Sequence, residues 1–464
     1  MSTISGLPSS LQPPWPEFIK HDPHFIPQSL IHPLRPLPQY EREISVALQA
    51  VHLASIVTKI HLLRALHLAQ TSSGTGKVDE VAKADSSEVT VADFAAQAII
   101  IGIINAAFPS NSFIAEESAE MLRNNAELRR KVMSLVLEAK SIIEASSIDS
   151  PLPTTEDAMI ETIDLGQKGG KAAVPNGSPT WILDPIDGTK TYIRGQQYAV
   201  CLCLVEEGEQ RIAVLGCPNL KLDQEDANGR ITIRETITDM KVEGGYVLSA
   251  VKGKGTFISS MDDCCLPEAK LEMHKFLQSG SKAQDRARQG QTSVNNASIH
   301  LDFVDSAASS HTNTKVHNAV FGHFAQPSHD SELEKALKEP GGSSRGSLAR
   351  LDIWSMQMKY VVLALQSADA MIRLPPQDDY HAAVWDHAGG QLLLTESGGN
   401  LTDGHGDQFI IDGTTRRLEH NWGVCATRGG DFVGKNGRST TAEVHALVFA
   451  EVQEELNRCR TNVQ

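Results

Sequence analysis

The chain has 464 residues, 41% hydrophobic and 21% charged, an ordinary composition for a protein with a sizeable core in one large or two fused domains. Lys and Arg total 42 against 57 Asp and Glu, a formal net charge of −15 that argues against a nucleic acid polymer as partner, since that needs a basic surface. A small anionic substrate stays open, because a bound divalent cation inverts the local field.

In chain order, residues 1–38 are rich in proline and read as an extended arm or a packed irregular segment. Residues 40–70 and 91–106 carry apolar side chains near a 3.6-residue period and predict two helices. Ser112–Ile114 reads as a short strand ending at Glu116, and 118–146 as helical. Residues 150–180, polar and dotted with glycine, read as a loop, a candidate flap over a site. Tyr198–Val205, Arg211–Cys217 and Tyr246–Ala250 predict closely spaced strands that pair antiparallel, with Gly253–Phe257 as a hairpin tip. Residues 259–298 are polar apart from a short helical patch near 267–277. They divide an N-terminal half, 39–298, from a C-terminal half, 299–464.

Beyond that boundary, Leu301–Val304 and Ala370–Leu374 predict strands, and 312–347 reads as an insertion. Trp354–Leu365 predicts a buried helix, and Asp386–Glu396 a helix capped by Asp386 and closed by Gly398 and Gly399. Helices and two sheets in succession suggest a layered α/β sandwich. Seven cysteines show no C-x-x-C pair, so a zinc site is not expected, and their odd number fits a reducing compartment, with the cytoplasm as the default. The N-terminus shows no signal-peptide pattern and no apolar run reaches about 18 residues without a charge, so neither export nor a membrane span is expected.

The segment Trp181-Ile182-Leu183-Asp184-Pro185-Ile186-Asp187-Gly188-Thr189 carries the chemistry. Three apolar residues read as the end of a buried strand; two carboxylates follow, with Pro185 stiffening the turn between them. Gly188 permits a backbone conformation or a close approach that a Cβ would block, and Thr189 stands where a helix can begin. Two carboxylates and the Ile186 carbonyl in one tight loop make a plausible seat for Mg²⁺, which takes oxygen ligands and leaves room for phosphate. The alternative is an acidic surface turn. Asp93 opens the second helix, where it reads either as an N-cap or as a catalytic carboxylate.

Four segments in order, Asp85–Asp93, Phe113–Ser118, Trp181–Thr189 and Trp385–Gly390, resemble the lithium-sensitive, Mg²⁺-dependent phosphomonoesterase superfamily that includes inositol monophosphatase. Gly188–Leu202 and Gly216–Leu220 look like its 3'(2'),5'-bisphosphate nucleotidase branch. The resemblance implies a five-layer αβαβα inositol monophosphatase-like fold and two or three Mg²⁺ ions. They would be held by Glu116, Asp184, Asp187, Asp386 and the Ile186 carbonyl, with Glu117 a bystander. It implies that Asp93 and Thr189 hold the nucleophilic water, and that the N–H groups of Gly188 and Thr189 cradle the scissile phosphate, with Lys190 beside them. On the substrate side, Ser309 and His311 fall in a segment whose His packs near adenine, and Arg373 and Lys359 align with cations near the 5'-phosphate. Two departures stand out: Glu88 replaces the usual Pro, and the branch's phosphate-binding Ser falls at Met356, with Ser355 one position away.

The implied activity is hydrolysis of the 3'-phosphate of adenosine 3',5'-bisphosphate to AMP, with 3'-phosphoadenylyl sulfate as a further substrate. The rivals are an inositol phosphate phosphatase, which would leave Lys359 and Arg373 unpaired, and a silent metal- or nucleotide-binding regulator.

Overall fold

The computed structural model describes residues 40–71, 80–82, 88–145, 149–169, 178–222, 230–236, 243–262, 269–270, 299–306, 312–324, 350–377, 379–434 and 437–461. The arm at 1–38, Ser309 and His311 lie outside them, as does nearly all of 263–298.

Helices α1 (Glu41–Thr71) and α2 (Val91–Ala107) form where the apolar periodicity predicts them and pack on each other. Behind them lie α3 (Glu120–Asn124), α4 (Ala126–Glu144) and α5 (Glu156–Leu165). The next layer is a seven-stranded sheet in sequential order. It comprises β3 (Ser112–Ala115), β4 (Thr180–Asp187), β5 (Ala199–Glu206), β6 (Glu209–Cys217), β7 (Tyr246–Val251), β8 (Gly255–Ser260) and β9 (Ala269–Lys270). A small hairpin of β1 (Glu80–Ala82) and β2 (Glu88–Thr90) leads into α2. Only β3 and β4 run parallel; every later pair is antiparallel, as short connections require.

After α6 (Thr189–Ile193), the second half supplies β10 (Phe303–Asp305), α7 (Thr314–Phe324), β11 (Arg350–Asp352), α8 (Met356–Ala364), β12 (Ala370–Arg373), α9 (Ala388–Glu396), β13 (Asn400–Thr402), β14 (Val424–Thr427) and α10 (Thr441–Thr461). Its five-stranded sheet has the order β11-β10-β12-β14-β13. Helices α8 and α9 lie between the sheets, touching β5 and β6 on one side and β10, β12 and β13 on the other. Helices α7 and α10 cover the outer face. The result is the five-layer αβαβα sandwich.

Side-chain alternation along the strands divides the core by layer. Trp181, Leu183, Leu202 and Val214 point to α1 and α2, while Ile182, Cys201, Cys203 and Leu215 point to α8 and α9. In the smaller sheet Val304, Met371 and Ala426 face inward, and Phe303, Ile372 and Cys425 face α7 and α10. Both sheets are covered on both faces, so their central strands read as unbroken apolar runs. Glu41–Leu68 is long and apolar enough to cross a membrane, but 72% of its most apolar window is buried inside the fold, where α1 meets α2, α4 and the larger sheet.

Several expectations need correcting. Residues 156–165, read as loop or flap, are the helix α5; Thr155 caps it, and Met159, Ile160 and Ile163 are buried, with α2 as its main neighbour. Part of the supposed insertion at 312–347 is α7, whose buried Val316, Val320, Phe321 and Phe324 meet α10. Ala269 and Lys270, within the expected helical patch, pair with β8 as a strand. Thr256 and Phe257 belong to strand β8 and not to the hairpin tip.

Candidate active site

Strand β4 extends further than its apolar start suggests: all eight residues from Thr180 to Asp187 are buried. It pairs with β5 regularly up to Asp184↔Cys201 and resumes at Asp187↔Ala199, so two residues oppose one across the gap. Pro185 falls in this irregularity, where its missing N–H breaks no ladder bond. The Ile186 N–H donates to Asp184 Oδ1 at 3.1 Å, turning the backbone sharply. Gly188 follows at φ +93°, and a Cβ there would lie 2.6 Å from Thr191 Oγ1. Parallel β3 ends alongside, and the Glu116 N–H donates to Leu183 O at 3.3 Å, which sets Glu116 next to Asp184.

Asp386 comes from the C-terminal half, just before α9, and is tied in by Gln357. Asp187 Oδ2 accepts from the Gln357 N–H at 2.6 Å and from the Ser355 hydroxyl. The Gln357 side chain donates to Trp385 O and accepts from the Gly390 N–H, both at 2.6 Å. One residue in the first turn of α8 thus ties the Asp187 loop to the Asp386 loop. Arg416 makes a second tie. It donates to Ala115 O at 2.6 Å, just before Glu116, while its guanidinium lies 4.7 Å from the centroid of the Trp385 ring. Gln97 bonds both the N–H and the C=O of Glu117, fixing the third segment. Asp386 is not a helix cap: α9 begins at Ala388, with His387 in the cap position.

Carboxylate oxygens of Asp184, Asp187 and Asp386 lie within 4.8 Å of one another. Glu116 stands outside that tight group, yet its charge helps to raise the pKa of both Asp184 and Asp386. Burial pushes Asp184 well up, and Glu116, Asp187, Asp386 and Asp93 add to it. Burial also raises Asp187, against the bonds from Ser355 and Gln357. Asp386 is pushed up to about 7, first by burial and then by Asp187. An all-oxygen donor set that resists ionising on its own has the chemistry of a hard divalent cation site.

This strain has a sign that can be measured in chelator. Above about pH 4 an unfolded Asp386 releases its proton, whereas the folded chain keeps it to about 7. The stability contribution is fully present below pH 4 and is lost as pH rises to about 7. The melting temperature in EDTA is therefore expected to fall from about pH 4 to about pH 7, and Asp386→Asn to flatten part of the slope. A melting temperature that rises over this range would contradict it.

Asp93 is wholly buried and serves two structures at once. The cap of α2 is Thr90, and Asp93 completes its capping box: Asp93 Oδ2 accepts from Thr90 N at 2.8 Å and from Thr90 Oγ1 at 2.6 Å. Asp93 Oδ1 accepts from the Thr189 hydroxyl at 3.3 Å, and the same hydroxyl is 3.3 Å from Ile186 O.

A family model described as the inositol monophosphatase family matches residues 43–437. The chain belongs to that family. Among curated relatives, a 3'(2'),5'-bisphosphate nucleotidase of Emericella nidulans is 34% identical over 393 residues, 83% of this chain and 94% of its own. A 3'(2'),5'-bisphosphate nucleotidase 1 of Candida albicans is 33% identical over 84% of this chain and 92% of its own, and a Schizosaccharomyces pombe nucleotidase is 32% identical over 85% and 93%. Family membership makes this chain a phosphatase. The family is metal-dependent, and the carboxylate cluster is where this member has the ligands for a metal.

Beside the cluster this inositol monophosphatase relative carries two cations, one of them buried. Lys359 is completely buried rather than snorkelling, its Nζ donating to Trp354 O at 3.1 Å. Burial and then the Arg373 charge lower its pKa to about 8. Arg373 ends β12, half-buried, and its guanidinium makes no side-chain hydrogen bond among the described residues. Its charge is felt at Lys359, Asp386 and His387. Ser355 is placed otherwise than expected. Its hydroxyl proton goes to Asp187 and its oxygen accepts from Met358 N, so it caps α8 and anchors Asp187 instead of facing a phosphate. Lys190 is exposed.

Gln357, Arg416 and Gln97 escaped the sequence reading, since Gln and Arg outside a motif carry no local signal. Glu235 escaped it too: burial, with Asp352 nearby, raises its carboxyl to about 8, while Lys359 and Arg194 act against the shift.

Proposed function

We propose that the protein is a Mg²⁺-dependent 3'(2'),5'-bisphosphate nucleotidase that converts adenosine 3',5'-bisphosphate to AMP and phosphate, and also accepts 3'-phosphoadenylyl sulfate. The observation that carries this reading is the pairing of a buried carboxylate cluster with an adjoining cationic patch, Lys359 and Arg373. A substrate with a phosphate to be cut and a second one to be held matches both, and the named relatives act on such substrates.

Asp184, Asp187, Asp386, Glu116 and the Ile186 carbonyl would hold two or three Mg²⁺ ions, which neutralise phosphoryl oxygens and acidify water. Hydrolysis forms a P–O bond from water and breaks the bond to ribose O3'. Thr189 donates to Asp93 Oδ1, which leaves its oxygen lone pairs to receive a hydrogen bond from that water. Gly188 and Thr189 begin α6, where N–H groups lack intrahelical partners and suit phosphate oxygens. Lys359 and Arg373 hold the remote phosphate, whose binding orients the ester.

Arg373→Ala tests this. It is expected to lower kcat/KM for adenosine 3',5'-bisphosphate roughly 10–1000-fold, about 1.5–4 kcal/mol for a charge-assisted contact. Hydrolysis of inositol 1-phosphate by the same preparation should change far less. Parallel loss on both substrates would make Arg373 structural, and an outright preference of the parent for the inositol ester would favour the inositol phosphatase reading.

A further inference from the structure

We propose that Asp305 and His317 are a positioning pair that fixes the backbone from which Arg373 projects, and so sets the affinity for the remote phosphate. The inference rests on the reading of Arg373 as the residue that holds that phosphate.

Arg373 has no side-chain hydrogen bond among the described residues, so the placement of its guanidinium depends on its backbone. Strand β12 is supported along its length by β14, through Arg373↔Val424, but meets β10 only at Phe303↔Ala370. Beyond that point α7 takes over. The Leu374 N–H donates to His317 Nε2 at 3.2 Å, and Leu374 O accepts from the Asn313 N–H at 2.7 Å. Both peptide groups flanking the Leu374 Cα, directly after Arg373, are thus held by the start of one helix. Leu374 is fully buried and Pro375 follows, so the segment has few alternatives.

The bond to Leu374 dictates the state of His317. A backbone N–H only donates, so Nε2 must offer its lone pair and the ring proton must sit on Nδ1. Nδ1 lies 3.1 Å from Asp305 Oδ2, which accepts that proton's hydrogen bond. Asp305 Oδ1 accepts from the Ser306 N–H at 2.7 Å, so both carboxylate oxygens are engaged. His317 and Asp305 are buried, at 5% and 8% exposure, where an imidazole with its proton on the wrong nitrogen would set N–H against N–H. Asp305 selects the tautomer, the tautomer holds Leu374, and Leu374 holds Arg373.

The test compares His317→Gln with His317→Asn in the full chain. Gln reaches far enough to put an acceptor oxygen where Nε2 stands; Asn is too short and keeps only the side facing Asp305. His317→Asn is expected to raise KM for adenosine 3',5'-bisphosphate about tenfold with kcat little changed, and to leave inositol 1-phosphate hydrolysis as it was. Hydrogen exchange at the Leu374 amide should accelerate in the Asn variant and stay slow in the Gln variant. Equal losses in both variants on both substrates would make His317 a packing residue and overturn the inference. Arg373→Ala is assayed alongside. If it leaves the bisphosphate KM unmoved, the reading of the remote phosphate fails; if it raises KM and neither His317 variant does, only the positioning role fails.

Discussion

Asp184→Asn is expected to lower turnover by about a thousandfold or more while raising the melting temperature measured in chelator. The two effects have one cause. Asp184 is pushed well up, first by burial and then by four neighbouring acids. Without a cation, burial and these neighbours repel a charge on Asp184. An amide of the same shape removes that repulsion, and its Oδ1 still accepts from the Ile186 N–H, so the sharp turn at the bulge persists. With a cation, the same amide withdraws a negative ligand from the centre of the donor set. Initial rates in Mg²⁺ and melting curves in EDTA check the pair of effects. Turnover within tenfold of the parent, or a lower melting temperature in chelator, would sink the account.

The sequence makes the donor set legible because its residues crowd into short segments with strong local punctuation. In β4, apolar residues, Asp, Pro, Asp and Gly stand in a row, and each constrains the next. The helix at Trp354–Leu365 was readable for a similar reason, since all nine residues of α8 are buried. What was lost has a physical reason in each case. Helix α5 is ten residues long and stands before Gly166 and Gly169, so turn-forming residues outweighed its single apolar face. Helix α7 keeps its apolar face in a stretch whose surroundings are Ser, Gly and His. Helix α10 does carry a local signal: Val444, Val448, Val452 and Leu456 recur every four residues and Thr440 accepts from the Glu443 N–H as a capping residue does. The braces at Gln97, Gln357 and Arg416 were invisible for a different reason. Each bonds backbone groups of a segment remote in sequence, 20 to 301 residues away, and no periodicity encodes such a contact. Ser355 shows the limit of carrying a role across by position, since its hydroxyl is given to Asp187.

Asp93→Asn is expected to lower kcat about 100–10,000-fold with KM little changed and the fold nearly as stable as before. The N–H and hydroxyl of Thr90 donate to Asp93 Oδ2, at 2.8 and 2.6 Å, and the Thr189 hydroxyl donates to Oδ1, at 3.3 Å. Asparagine has one acceptor oxygen, so it can satisfy only one side. Two short bonds outweigh one long one, and losing a helix cap costs about 1 kcal/mol. The amide oxygen should therefore keep the Thr90 side and turn its NH₂ toward Thr189. Thr189 then becomes an acceptor there, and its proton swings to Ile186 O, already 3.3 Å away. The cap survives, but the lone pair that would receive a proton from water is occupied. Thr189→Val should reproduce the loss by deleting the hydroxyl, and Thr189→Ser should restore much of the activity. Because both changes disable one relay, the double variant Asp93→Asn with Thr189→Val should be no slower than the worse single variant. Multiplying losses would mean that the two side chains act separately, and full turnover in Asp93→Asn would leave Asp93 with only its part in the Thr90 capping box.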